Sequence, residues 1–302
     1  MSYIVTGGAG FIGGHLVDYL VSRRSDVIAI DDLSGGSYIN SKSKFVKLDL
    51  RRPANMNTPK GSGIFHFAAN PSVRDSMTNP TEHFDRDVKT TVNVMESARK
   101  ADSEFVVFLS TSAVYGEAKR LPTSESDPVN PISNYAEFKL LAESIICFYS
   151  RNYGIKAASL RLANVVGGRS DHGVVYDFVK KLRHSQETLE ILGDGSQSKS
   201  YMYIDDAIRA IMTAASKMPD SYSMFNVGST DRISVKEIAQ IVAGKMGISP
   251  KYIYKDWGRG RGWSGDVKHM QLDASRIRKL GWRPKFSSSQ AVSKAGDDAL
   301  RE

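Results

Sequence analysis

Cysteine is almost missing from this 302-residue sequence, which holds a single one, Cys147. One cysteine cannot close an internal disulfide, so the fold requires no oxidising compartment. Long apolar runs are missing too. The N-terminus passes straight into the strand-like Tyr3-Ile4-Val5 without a basic segment, an apolar stretch and a cleavage site, and no later run reaches the ~20 apolar residues that span a bilayer. Together these absences predict a cytoplasmic chain, neither exported nor membrane-inserted. Metal-ligand patterns of the HExxH or CxxC kind, internal repeats and low-complexity tracts are also lacking, so no metal is expected.

Acidic residues are outnumbered, 33 against 41 Lys and Arg, leaving a formal charge of +8. Nucleic acid, an acidic membrane surface and an anionic small substrate are each compatible with such an excess. The cations are spread along the chain, and their densest runs (Arg51-Arg52, Lys180-Lys181, Arg276 to Lys279) lie among helix-like or turn-like residues, where solvated faces are the simplest reading. No nucleic-acid-binding motif accompanies them.

With 41% hydrophobic residues the chain has the means to bury a sizeable core. Short β-branched runs at Tyr3–Thr6, Asp26–Asp31, Phe45–Leu48, Gly63–Ala68, Glu104–Ser110 and Lys156–Leu162 predict strands. Segments with helical spacing at Phe11–Arg23, Thr81–Arg99 and Tyr135–Tyr153 lie between them. Each parallel strand needs a crossover, so the alternation predicts an α/β fold of the Rossmann type, a doubly wound parallel sheet. After about residue 166 the alternation loosens, and Gly167-Gly168, Gly193-Asp194-Gly195 and the Gly-rich Gly258 to Gly265 separate shorter elements. We therefore expect a nucleotide-binding domain over residues 1–166, with a return segment near 200–230, and a smaller C-terminal substrate lobe over 167–302. Within the latter, Phe225 to Gly228 reads as a strand and Ser234–Met246 as a helix opened by a Ser234-x-x-Glu237 capping box.

The strongest local signal is Thr6-Gly7-Gly8-Ala9-Gly10-Phe11-Ile12-Gly13, with glycines spaced G-x-x-G-x-x-G between a strand and a helix. Such glycines permit a tight turn, let backbone N–H groups approach a pyrophosphate, and seat the helix close on the sheet. The next strand ends at Asp31, where a carboxylate would accept from a ribose 2′-hydroxyl and repel a 2′-phosphate. NAD is therefore predicted over NADP.

Tyr135-x-x-x-Lys139 places a phenol and an ammonium one helical turn apart on one face. A neighbouring ammonium favours a phenolate and lowers the phenol pKa, which suits proton transfer to and from a sugar hydroxyl.

On these motifs the chain resembles the extended short-chain dehydrogenase/reductases that act on nucleotide sugars, and most of all the UDP-glucose 4-epimerases. The resemblance runs through nearly the whole length. It is carried by Thr6–Gly13, Asp31-Asp32-Leu33-Ser34, Asp49-Leu50, His66-Phe67-Ala68-Ala69, Ser110 to Gly116, Tyr135-x-x-x-Lys139 and Arg161 to Asn164. Ile191 to Gly195, Tyr203 to Asp206, Phe225 to Gly228, Gly265-Asp266 and Leu280 to Pro284 extend it. It implies Thr111, Tyr135 and Lys139 as the catalytic set, with Lys139 also holding the nicotinamide ribose. For the cofactor it implies Gly7, Gly10, Phe11 and Ile12 at the pyrophosphate and Asp31, Asp32, Leu33, Ser34 and Gly35 around the ribose. Asp49 and Leu50 would lie at the adenine, with Phe67, Ala68, Ala69, Asp87 and Ala163 along the cofactor. For the nucleotide sugar, a UDP-hexose, it implies Asn164, Leu192, Lys199, Arg261, Asp266 and Met270 beside Thr111 and Tyr135. Several of the apolar positions would serve equally as core.

Four departures stand out. Asp87 replaces the usual asparagine, Ala163 an aromatic residue, Lys199 an arginine and Trp263 another arginine, with Arg261 nearby as a substitute. Nucleotide-sugar dehydratases carry an acidic pair where Ser112 and Ala113 stand here, and UDP-glucuronate decarboxylases a glutamate at the second position, so both activities are disfavoured. UDP-N-acetylglucosamine and UDP-glucuronate 4-epimerases remain alternatives, and a non-catalytic NAD-binding protein is the reading from another class. Relatives pair through two helices in a four-helix bundle, which implies a homodimer built on Thr81–Arg99 and Tyr135–Tyr153.

Overall fold

The computed structural model describes residues 2–52, 56–263 and 265–302, which fall into two compact units. The first comprises residues 1–114, 131–161 and 208–225, and the second residues 115–130, 162–207 and 226–302.

In the first unit the apolar runs form strands β1 (Ser2–Thr6), β2 (Asp26–Asp31), β3 (Lys44–Lys47), β4 (Gly63–His66), β5 (Phe105–Thr111) and β6 (Lys156–Leu162). With the strand Tyr222–Val227 they make a seven-stranded parallel sheet, ordered Tyr222–Val227, β6, β5, β4, β1, β2, β3. Strand order therefore reverses between β1 and β4, and in open α/β sheets ligands bind outside the strand C-termini at such a switch point. Alternate residues Ile4, Ile28, Ile30, Ile64, Val106 and Phe108 share one core cluster with Val94, Met95 and Ala98 of α3 (Thr90–Lys100) and with Ala142 and Ile146 of α4 (Asn134–Tyr153). The intervening Val5, Ala29, Phe65 and Val107 are buried as well, as expected of parallel strands covered on both faces.

One boundary differs from the sequence expectation for a visible reason. The strand expected to run to Ala68 ends at His66, because Phe67 and Ala68 turn their N–H groups onto the Thr6 hydroxyl, at 3.1 and 3.2 Å. The helix expected over Thr81–Arg99 runs without interruption from Pro80 to Lys100, as α2 (Pro80–Phe84), a π-helical turn Asp85–Lys89, and α3. Helix α1 (Phe11–Ser22) follows β1 directly. Helix α4 starts at Ser133, whose hydroxyl accepts from Ala136 N, and stops at Gly154, which takes the left-handed conformation (φ 71°).

The second unit pairs Ser198–Lys199 with Ile233–Ser234 antiparallel and with His269–Met270 parallel. Thr188–Leu192 runs parallel to Lys251–Lys255, and Tyr201–Tyr203 parallel to Asn164–Val166. Helices Val174–His184, Val235–Lys245 and Ser288–Arg301 pack on one another, and the Ser234–Glu237 capping box is formed. Among the described residues no helix is long and apolar enough to cross a membrane.

Candidate active site

The turn between β1 and α1 is shaped by its glycines. Gly7 sits at φ 68°, and a Cβ on Gly13 would strike the Gly7 carbonyl, so neither position tolerates a side chain. Gly10 is the N-cap of α1 and supplies no side-chain acceptor, leaving the first-turn N–H groups to an anion. Asp31, at the end of β2, accepts from Ala9 N (3.1 Å) through one carboxylate oxygen and from Leu33 N (2.8 Å) through the other. Burial pushes its carboxyl pKa up, and those two N–H groups pull against the shift. The glycine cradle, the uncapped helix and an anchored acceptor beside them fit a dinucleotide pyrophosphate and its ribose.

Around Asp31 the structure adds partners that motif matching missed. Asp32 accepts from Ser34 N (2.9 Å), and Arg86 reaches both Asp32 (3.1 Å) and the Ser34 hydroxyl (2.7 Å). Gly35 lies in open space. Arg51 clasps Asp49 at 2.9 Å and Glu82 at 2.8 Å, holding the Asp49 carboxyl down at about 2. Leu50 is buried, whereas Phe11, Ile12, Phe67, Ala68 and Ala69 are half-buried. The i,i+4 spacing of Glu82 and Arg86 was the one available signal for this cluster.

His66 is wholly buried and joins the two sides of the switch point, with Nδ1 2.9 Å from Thr6 Oγ1 and Nε2 3.1 Å from Thr91 Oγ1. Thr6 Oγ1 already accepts from Phe67 N and Ala68 N, so its proton goes to Nδ1. Thr91 donates to the Asp87 carbonyl and therefore accepts from Nε2. The network assigns the neutral Nε2–H tautomer. Burial, and the Lys139 charge after it, push the imidazole down to about 3.

Thr111 ends β5, and Tyr135 and Lys139 lie in the first two turns of α4. The chain holds Tyr135 at a fixed place: its N–H donates to Ser76 Oγ (3.0 Å), and Asn134 donates to the Ser76 carbonyl (2.9 Å). The Thr111 hydroxyl accepts from Ala113 N (3.1 Å) and acts on the Tyr135 phenol, favouring its charged form. Lys139 is buried, donates to the Leu109 carbonyl (3.1 Å), and lies 4.8 Å from the Phe108 ring centre and 5.8 Å from that of Tyr135. One turn further on, Glu143 receives Arg161 at 2.9 and 2.7 Å and Ser110 at 2.5 Å. The three expected catalytic residues are thus gathered in one unit.

One expectation is corrected. Where the Tyr135–Lys139 spacing predicts a lowered phenol pKa, burial, reinforced by the charge of Asp87, pushes the phenol up, and the Thr111 hydroxyl only partly offsets this. Burial also pushes the Lys139 ammonium down, opposed by Asp87 and Glu143. Asp87 itself is fully buried, with Oδ1 3.9 Å from Lys139 Nζ, and its carboxylate oxygens have no hydrogen-bond partner among the described residues.

In the second unit Lys199 and Asp266 form an ion pair at 2.7 Å, and Asp266 also accepts from Gly262 N (3.1 Å). Met270 stands in register with Lys199 across the strand pair. Leu192 is partly exposed close to Gly262. Arg261 pairs with Glu117 (2.9 Å), and Ala163 is buried, its N–H on the Val227 carbonyl (2.8 Å). The Asn164 side-chain amide is a buried donor with no partner among the described residues.

The amino-acid sequence matches the model of the NAD dependent epimerase/dehydratase family over residues 3–228. It is 36% identical over 299 residues to a putative UDP-glucose 4-epimerase of Methanocaldococcus jannaschii, covering 96% of this chain and 95% of that one. It is 34% identical over 310 residues to a UDP-glucose 4-epimerase of Mycolicibacterium smegmatis, with 97% of each chain covered. The crystal structure of a UDP-galactose 4-epimerase superposes with a TM-score of 0.91 at 41% identity, covering 100% of this chain and 99% of that one. The chain belongs to the NAD-dependent epimerase/dehydratase family, among its nucleotide-sugar 4-epimerases.

Proposed function

We propose that this enzyme interconverts UDP-glucose and UDP-galactose, inverting C4 of the hexose through a transient 4-ketone. The observation that carries the reading is the gathering of Thr111, Tyr135 and Lys139 at the end of β5 and the start of α4. Bound NAD supplies the acceptor, and then the donor, of the C4 hydride. Tyr135 takes the proton of the 4-hydroxyl on the outward step and returns it after the ketone has turned its other face. Thr111 orients that hydroxyl beside the phenol, whose charged form it favours. A phenol whose pKa is raised is a strong base once deprotonated, and the Thr111 hydroxyl is the group that favours its charged form. Ser112 and Ala113 supply no acid for elimination, which favours epimerisation over dehydration.

In this reading the glycine turn and Asp31 hold NAD, with Asp32, Leu33, Ser34, Asp49, Leu50, Phe67 to Ala69, Asp87 and Ala163 along it. Asn164, Leu192, Lys199, Arg261, Asp266 and Met270 bind the nucleotide sugar. The working form is a homodimer: Phe84, Val92, Leu141, Phe148 and Tyr153 expose large apolar side chains along α2, α3 and α4, where a second copy would cover them. The decisive experiment incubates purified protein with UDP-galactose, without added cofactor, and identifies the product sugar. UDP-glucose is expected, and unchanged UDP-galactose would overturn the reading.

A further inference from the structure

The π-helical turn Asp85–Lys89 carries an arrangement that the hydride chemistry above does not use. His83 and Asp87 both have side chains with no solvent exposure. His83 Nδ1 lies 3.7 Å from Asp87 Oδ2, an ion-pair distance beyond a hydrogen bond, and His83 Nε2 lies 3.2 Å from Asp75. Asp75, on the short helix Asp75–Met77, is 42% exposed, so the line Lys139, Asp87, His83, Asp75 runs from the buried ammonium to the surface. A histidine walled in between two carboxylates is held in place by its charge. Burial opposes protonation, but the two acids outweigh it and raise the imidazole pKa. An unpaired buried carboxylate is expensive, and Asp87, with no hydrogen bond of its own, lies between the Lys139 ammonium and the His83 imidazole.

We propose that His83 and Asp87 are positioning residues for the Tyr135–Lys139 pair, forming a buried relay in which the His83 imidazolium offsets the Asp87 charge and so couples the pair to external pH. The proposal rests on the catalytic reading above for its consequence, and on geometry alone for its existence. The groups facing the relay are few. Asp75 faces His83, with Asn79 donating to Asp75 at 2.7 Å. Lys139 and Tyr135 of α4 face Asp87, and Glu143, matched by Arg161, lies a turn beyond Lys139. His66 of β4 is neutral and adds no charge. When His83 loses its proton, Asp87 keeps only the Lys139 charge beside it, acts more strongly on Tyr135 and disfavours the phenolate. His83→Gln removes the His83 charge at every pH.

The test follows His83 and Lys139 by NMR in the holoenzyme, with imidazole 15N and Lys139 13Cε shifts read against pH. His83 is expected to titrate above its ordinary 6.5, and Asp87→Asn to lower that value by about one to three pH units. The Lys139 shift should inflect at the His83 midpoint and lose the inflection in His83→Gln. Asp75→Asn, at the exposed end, serves if the buried variants fail to fold, and should move both midpoints down together. With UDP-galactose, kcat of His83→Gln should fall below native, by up to about tenfold for one pKa unit on Tyr135, only at pH values below the His83 midpoint, the two curves merging above it. An equal deficit at all pH values would overturn the relay, as would a His83 midpoint unmoved by Asp87→Asn. Absence of turnover with the NMR responses intact would sink the substrate reading and leave the relay standing.

Discussion

Lys199 Nζ and Asp266 Oδ1 stand 2.7 Å apart, on residues both assigned to the nucleotide sugar, so the lysine that replaces the usual arginine already has an anionic partner. A diphosphate bound as proposed would share Lys199 with Asp266. Lys199→Ala is expected to raise KM for the UDP-sugar several-fold with a smaller change in kcat, the pattern of lost uniform binding. In a thermal or urea unfolding cycle, Lys199→Ala and Asp266→Ala should couple by about 1 kcal/mol, since the lysine is partly solvated. Additive losses would show that the pair contributes nothing.

Asp31 combines two tasks that its motif did not separate. Its carboxylate ties Ala9 N and Leu33 N, and it is the expected acceptor for the ribose hydroxyl. Asp31→Ala should weaken NAD more than NADP by calorimetry and also lower thermal stability. Unchanged NAD affinity would remove Asp31 from the cofactor site.

Tyr135→Phe removes one hydroxyl and little volume. It should reduce kcat by roughly 10²–10⁴-fold, equivalent to about 3–5 kcal/mol of barrier, while NAD content and melting temperature stay near native. A near-native rate would show that Tyr135 is a helix residue only.

His66 gives the fold an acid limb. Its folded pKa, about 3, lies below the ordinary 6.5, so between those values the unfolded chain binds a proton that the folded chain refuses. The associated stability is therefore complete above pH 6.5 and is lost as pH falls through that window, at up to about 1.4 kcal/mol per pH unit. Urea unfolding at pH 7, 6, 5 and 4 should show this slope, and His66→Asn, less stable at pH 7, should show a shallower one.

Met270 is buried and in register with Lys199, and the family resemblance that implies both for the nucleotide sugar makes Met270 the expected neighbour of the hexose 2-substituent. Its flexible thioether should yield a modest preference for UDP-galactose over UDP-N-acetylgalactosamine, roughly ten- to two-hundred-fold in kcat/KM. Met270→Gly should erase it. A native preference for the acetylated sugar would show that Met270 does not guard the pocket.

Periodicity and glycine spacing were enough to place the sheet, the nucleotide turn, Asp31 and the Tyr135–Lys139 pair, because each depends on residues close in the chain whose pattern repeats at 2.0 or 3.6 residues. Strands β2 and β6 fall on the residues the pattern indicated. What the sequence alone could not decide are the interactions between distant segments. The direction of the Tyr135 shift is set by burial and by Asp87, 48 positions away in the chain, not by the lysine one turn along. The partners of Lys199 and Arg261, the neutral tautomer of His66 and the approach of Asp87 to Lys139 join residues with no common local pattern. Local sequence fixes backbone geometry through sterics and hydrogen bonding, whereas the charge state of a buried group is a sum over whatever the fold packs against it.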